Sequence, residues 1–198
     1  MSLPGRHHRP AFTLVEAVIA VSITAMAGSA LLLGIGNSMQ TTGEVLDQAI
    51  ATGMARQLMD EIVGRRYCGA GTSPNETVLG PTGGENHGTV RQYDDIDDYN
   101  GYVAQPPVDQ FGIPLGSDDG RGAQRDPNFQ AYPGCFNGWR QQVAVYYVNQ
   151  SNVSQPLPAG QTSDYRAVEV TISIEDPIRG LRPAATLRRI VANVPPPQ

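Results

Sequence analysis

The chain has 198 residues, 40% of them hydrophobic, with 19 acidic residues against 14 basic ones and a net charge of −5. A chain of that size holds one membrane helix and one modest soluble domain. The acidic balance argues against nucleic acid or anionic lipid as the main partner.

Residues 1–11 form a short basic leader. Arg6 and Arg9 carry its charge, and His7 and His8 read as polar spacer. Then comes Ala11-Phe12-Thr13-Leu14-Val15-Glu16, and from Ala17 to Gly43 no residue is charged. Ala17 to Ile35 is apolar and long enough to cross a bilayer core as one helix, which needs about 20 residues. The first charges beyond the run are Glu44 and Asp47. Basic residues stay cytoplasmic, so the body of the protein is expected outside. The run is too long for an ordinary signal sequence, although Gly28-Ser29-Ala30 could mimic a signal cleavage site. Glu16 stands at the edge of the span, where a carboxylate is costly and calls for a partner.

The segment Ala11 to Glu16, followed by an uncharged helix, resembles the type IV prepilin motif. From Arg9 to about Val63 the chain resembles a pseudopilin or minor pilin of a type II secretion system or type IV pilus. Ala11 stands where that family has Gly, and Ala is the next smallest residue. The resemblance implies that a prepilin peptidase/methyltransferase cleaves after Ala11 and methylates the new amine of Phe12. It implies that Glu16 pairs with the N-terminal amine of a neighbouring subunit. Other pilin or pseudopilin subunits and the bacterial inner membrane are the implied partners, and the periplasm the implied compartment for the C-terminal domain. Loss of Arg6 and Arg9 would leave 12 arginines against 19 acids, a charge of −7. The rival reading is an uncleaved, membrane-anchored binding module that holds a ligand with residues 65–137.

From Phe12 to about Gly64 no proline interrupts a long helix. Residues 12–36 form its membrane and assembly part and 37–64 an amphipathic continuation. There Leu46, Ile50, Met54, Leu58 and Ile62 recur every fourth residue, a stripe suited to packing on a sheet or on other helices. Residues 65–198 form the exported domain. Its first part, to residue 137, is rich in Gly, Pro, Asn and Asp, with weak strand signals at Glu76–Leu79 and Gly88–Tyr93. Loops of that length are usually functional or mobile, and here they form a candidate variable face. Beyond them, Trp139–Val148, Tyr165–Glu175 and Leu187–Val194 alternate as strands of an antiparallel sheet. Asp176-Pro177 and Arg179-Gly180 mark the turn between the last two. The expected fold is α+β, with a long N-terminal helix packed on a small antiparallel sheet, the arrangement of pilin-like proteins.

Two cysteines, Cys68 and Cys135, follow the span. In an oxidising compartment an even pair reads as one disulfide, with two unpaired thiols as the alternative. No Gly-x-Ser-x-Gly occurs, no phosphate-binding loop with Lys, and no Cys/His set of zinc spacing, so neither an enzyme nor a cofactor is expected. His87 is a lone loop histidine. The segment Tyr93-Asp94-Asp95-Ile96-Asp97-Asp98-Tyr99-Asn100-Gly101 offers oxygens to calcium through Asp94, Asp95, Asp97 and Asp98. It lacks EF-hand spacing, and a solvated acidic loop is the preferred reading.

Overall fold

The structure, a computed structural model, describes residues 13–82, 90–116, 128, 130–132 and 134–194. Helix α1 runs unbroken over Leu14–Val63. Chain contacts divide the protein into two units, Met1–Leu46 and Asp47–Gln198. The last third of α1 therefore belongs with the C-terminal domain.

In the first unit the helix is bare. Leu14, Val15, Val21, Met26, Leu31, Leu32 and Leu33 are all more than 60% exposed. The most apolar 18-residue window has a mean hydropathy of 2.2 and is 0% buried, so this helix is long and apolar enough to span a membrane.

The second unit is α1 from Asp47 packed on an antiparallel sheet. The strands are β1 (Val103–Ala104), β2 (Trp139–Asn149), β3 (Asn152–Pro156), β4 (Tyr165–Asp176) and β5 (Gly180–Ala192). Their order is β1-β2-β4-β5, with β3 paired to the end of β2. Nine residue pairs join β2 to β4, from Trp139 opposite Ile174 to Tyr147 opposite Arg166. Alternation places Trp139, Val143 and Val145 of β2 and Val168, Val170 and Ile172 of β4 on the covered face, each 7% exposed or less.

Strand β5 begins seven residues before the expected Leu187. A turn closed by Asp176 carries the chain straight back, and the Asp176 Oδ1 accepts the N–H of Ile178 at 2.8 Å and of Arg179 at 2.9 Å. Gly180 takes φ +74° at the exit, a conformation that L side chains resist. Pro183 faces Ser173 and Ala185 faces Ile172, which leaves Ala184 as a bulge residue. A proline is tolerated there because β5 is an edge strand.

The helix stripe is rotated from the expected one. Ala51, Met54, Ala55, Leu58, Met59 and Ile62 are buried, whereas Leu46 is 59% exposed and Ile50 half-buried. The cause is helical geometry. Each four-residue step overshoots a 3.6-residue turn by about 40°, so three steps back from Leu58 rotate Leu46 about 120° off the sheet. The buried set follows mixed three- and four-residue spacing and stays on one face. Leu58→Ala and Ile62→Ala should each cost about 2–5 kcal/mol, and Leu46→Ala less than about 0.5 kcal/mol. Urea unfolding of the full chain in detergent measures the difference; a loss at Leu46 equal to that at Leu58 would contradict this packing.

Candidate functional site

The N-terminal site is built from Thr13 and Glu16. The Glu16 Oε2 accepts the Thr13 N–H at 3.2 Å and the Thr13 hydroxyl at 3.1 Å. In return the Thr13 Oγ1 accepts the Glu16 N–H at 3.2 Å. This is a capping box, which satisfies two of the donors that a helix start leaves open. The Thr-x-x-Glu spacing was its signal in the sequence. Glu16 thus has a local structural role besides any intersubunit one, and as an acid in the first turn it suits the helix dipole. Ala11 and Phe12 lie outside the described residues.

Further along the bare helix, hydroxyls donate to carbonyls one turn back: Ser22 to Val18 at 2.8 Å, Thr24 to Ala20 at 2.7 Å and Ser29 to Ala25 at 2.7 Å. These groups are satisfied within the helix and ask nothing of a hydrocarbon solvent.

The acidic segment is not a solvated loop. Val90, Tyr93, Ile96, Tyr99 and Tyr102 are each 3% exposed or less. They recur every third residue, the period of the 3-10 turns at Val90–Gln92 and Asp97–Tyr99. The expected strand over Gly88–Tyr93 is replaced by the first of these turns in its described part, and Glu76–Leu79 forms no strand. Tyr93, Tyr99 and Tyr102 pack edge to face at 4.9–6.2 Å. The Tyr99 hydroxyl donates to Glu61 of the helix at 2.7 Å. Burial first, then this bond to Glu61, pushes the Tyr99 pKa up.

The carboxylates between these apolar residues turn inward. Asp95, Asp97 and Asp98 are buried, and Asp94 is exposed. Asp98 accepts the N–H groups of Asp94 and Asp95 at 2.9 and 3.2 Å. Asp95 accepts those of Asp97 and Asp98 at 2.8 and 3.2 Å. Carboxylate oxygens of Asp94, Asp95 and Asp98 lie within 4.8 Å of one another. Asp97 belongs elsewhere: its Oδ1 accepts from the Arg166 Nη1 at 2.7 Å.

Arg166 is 0% exposed. Besides Asp97, it donates to the carbonyls of Tyr67 and Pro74 and to the Tyr147 hydroxyl. Its guanidinium lies 4.3 Å from the Tyr67 ring centre and 5.2 Å from that of Tyr147. Burial opposes its charge, but the Tyr147 hydrogen bond and the Asp97 carboxylate outweigh it and hold the pKa above its ordinary value. Burial pushes the Tyr67 phenol up to about 12, with Arg166 partly offsetting it.

The expected disulfide is absent: Cys68 and Cys135 are two free, half-buried thiols. The register explains why. Cys68 follows Tyr67, whose carbonyl is held at the Arg166 end of the sheet. Cys135 precedes Phe136, whose ring packs 5.5 Å from Trp139 at the opposite end. Eight residue steps of strand, roughly 27 Å, separate those ends. A bridge requires Cα atoms within about 7 Å. Burial raises the Cys135 pKa.

Comparison with protein-family models, curated proteins and solved structures finds no match to this chain. The architecture is a long N-terminal apolar helix whose C-terminal end packs on an antiparallel sheet, a form compatible with the pilin-like fold.

Two outcomes follow from the cluster around Arg166. Arg166→Ala should cost about 3–5 kcal/mol, because it strands the buried Asp97 charge. Arg166→Lys should rescue little, since one ammonium cannot reach four acceptors in a planar fork. Asp95 tests the pH dependence. Burial, with Asp97 and Asp98 beside it, raises its pKa to about 8 from 3.8. The folded state therefore favours the protonated acid. That contribution is full below about pH 4 and is lost as pH rises through about 8. Asp95→Asn should gain stability relative to the wild-type chain between those limits, as read by thermal unfolding at a series of pH values. A constant difference between the two chains would refute the assignment.

Proposed function

We propose that this chain is a pilin-like structural subunit, a minor pseudopilin of a type II secretion system. In this reading a prepilin peptidase/methyltransferase removes residues 1–11 and methylates Phe12. The subunit waits in the bacterial inner membrane with its N-terminus cytoplasmic and its C-terminal domain periplasmic. It then joins other pseudopilins in a periplasmic pseudopilus. It is a substrate of processing enzymes and performs no chemistry of its own.

One observation carries the reading: a capped helix start bearing a single carboxylate opens a bare apolar helix. Apolar surface on that scale needs cover at about 25 cal/mol per Å² of favourable burial. Lipid supplies it before assembly, and neighbouring helices supply it afterwards. A helix–helix environment would also bury Glu16, which then requires a cation. The amine created on Phe12 by cleavage after Ala11 is the cation nearest in sequence.

The capping box makes this testable with two variants. Gln can fill the capping role of Glu at that position, so Glu16→Gln keeps the box and removes the charge. Glu16→Ala removes both. Both variants should insert and be processed to a chain beginning at N-methylated Phe12, read by mass spectrometry after co-expression with a prepilin peptidase. Both should fail to co-purify with partner subunits, because an unpaired buried amine costs about 3–5 kcal/mol. Normal incorporation of Glu16→Gln would reduce Glu16 to a helix cap. An intact leader on protein from its native membrane would favour an uncleaved anchored module.

A further inference from the structure

Strand β5 is the long free edge of the sheet. Among the described residues it pairs with β4 and with no other strand. The register fixes which of its main-chain groups are open. The Val143 N–H donates to the Tyr102 carbonyl at 3.0 Å, and the Val143 carbonyl accepts from the Gly101 N–H at 3.2 Å. Val143 thus turns both groups away from β4. In an antiparallel ladder such groups alternate between the two sides of a strand. Val170, opposite Val143, therefore turns its own toward β5, and Leu187, opposite Val170, turns its own back toward β4. Asn193 keeps the same parity and donates to the Asp164 carbonyl at 2.8 Å. Thr186, Arg188, Ile190 and Ala192 are left facing outward, each with one donor and one acceptor, and no described residue bonds to them. At about 3.4 Å per residue these open groups run for roughly 20 Å.

An edge of that length is a template for another strand unless it is blunted. The blunting here is confined to one end, where Pro183 lacks an N–H and Ala184 bulges. From Ala185 to Asn193 there is no proline and no glycine. Leu187 and Val191 on the helix side and Ile190 on the other are half-buried, so an added strand would complete their cover on both faces.

Charge says what that strand carries. From Pro177 to Gln198 lie four of the chain's 14 arginines and none of its 19 acids. Arg189 points to the helix side, where Asp60 lies 3.2 Å away, and the two side chains are 52% and 69% exposed. So exposed a pair is weak and leaves guanidinium donors to share. Arg188 points to the other side, where it donates to the Tyr146 hydroxyl at 3.0 Å and to the Val153 carbonyl. An added strand would lie about 4.8 Å from β5, so Arg188 is the first charge it meets on that face. Glu169, opposite Arg188, stands one strand further in. A second copy is a poor occupant, because β5 against β5 sets arginines against arginines.

We propose that the outer edge of β5, from Thr186 to Ala192, docks an extended acidic segment of another protein, which joins the sheet as a further strand. Main-chain bonds to Thr186, Arg188 and Ile190 would hold it, and carboxylates at its alternate positions would reach Arg188 on one face or Arg189 on the other. The inference uses the C-terminal domain alone and needs neither leader cleavage nor assembly, so its failure leaves the pilin-like reading untouched.

The test uses the full chain in detergent and, as probe, an acetylated seven-residue peptide in which Val and Glu alternate. Peptides with Gln or with Lys in place of Glu are the controls. By fluorescence polarisation the Glu peptide should bind about tenfold more tightly than the Gln peptide, and the Lys peptide should not bind. Affinity for the Glu peptide should fall about tenfold between about 0.05 and 0.5 M salt. The peptide should slow amide-proton exchange at Thr186, Arg188 and Ile190. Thr186→Pro removes an outward N–H that the pairing with β4 does not use, so the chain should fold and bind about tenfold more weakly. Arg188→Gln with Arg189→Gln decides the charge dependence even if the proline unfolds the domain: it should bring the Glu and Gln peptides to equal affinity. No binding of the Glu peptide, equal binding of the Glu and Gln peptides to the wild-type chain, or undiminished binding to folded Thr186→Pro overturns the proposal. Slow exchange at these amides that grows with protein concentration in the absence of peptide assigns the edge to a second copy and also overturns it.

Discussion

The C-terminal domain depends on one buried cation. The described residues between the helix end and the first long strand carry little regular structure, and backbone in such segments must find partners outside ladders. Arg166 supplies them. One side chain at the start of β4 takes the carbonyls of Tyr67 and Pro74, the carboxylate of Asp97 and the hydroxyl of Tyr147. The Tyr147 hydroxyl also donates to Pro74 at 3.1 Å, which doubles that tie. Only arginine offers enough planar donors for this task, with a face that can lie against two tyrosine rings. A buried ion pair need not stabilise a fold more than an apolar substitute would. Here its value is specificity: it selects one arrangement for segments that have no ladder to select it.

The acidic loop follows from the same constraint. Asp97 is drawn inward by Arg166, and Asp95 and Asp98 are drawn inward by main-chain N–H groups of the same segment that would otherwise lack acceptors. Tyr93, Ile96, Tyr99 and Tyr102 then fall on the side facing the helix. Burial of three carboxylates near one guanidinium leaves an excess of negative charge, and the fold relieves it by favouring the protonated form of Asp95. The loop is thus a core element whose polar side chains serve its own backbone.

Legibility varied with the kind of signal. Strands β2 and β4 could be read to within a residue because both have one covered face and alternate with period two. Strand β3 is exposed at all five positions, and β1 has two residues, so neither leaves a period to read. Strand β5 was visible only from Leu187, since Pro183, Ala184 and Ala185 look like a break when the partner strand is unknown. The helix is plain from its apolarity, but a four-residue spacing drifts off the buried face over several turns. Val90, Tyr93, Ile96, Tyr99 and Tyr102 share a three-residue period that the four aspartates among them obscure. The cysteine pair differs in kind. Count and compartment favour a bridge, but distance decides it, and distance depends on strand register.

The N-terminal motif and the domain differ in how their information is stored. A span needs only length, apolarity and a charge bias, all additive along the chain. A capping box needs two residues at one spacing. Such local constraints can be read without a partner or a fold. The Arg166 cluster joins residues up to 99 positions apart, and each member is ordinary in isolation: a tyrosine, a proline, an aspartate in an acidic run. No scan along the chain reveals that they meet. The same asymmetry extends to function: the helix start and the apolar run declare their chemistry locally, whereas the surface of the domain takes its meaning from what stands next to it.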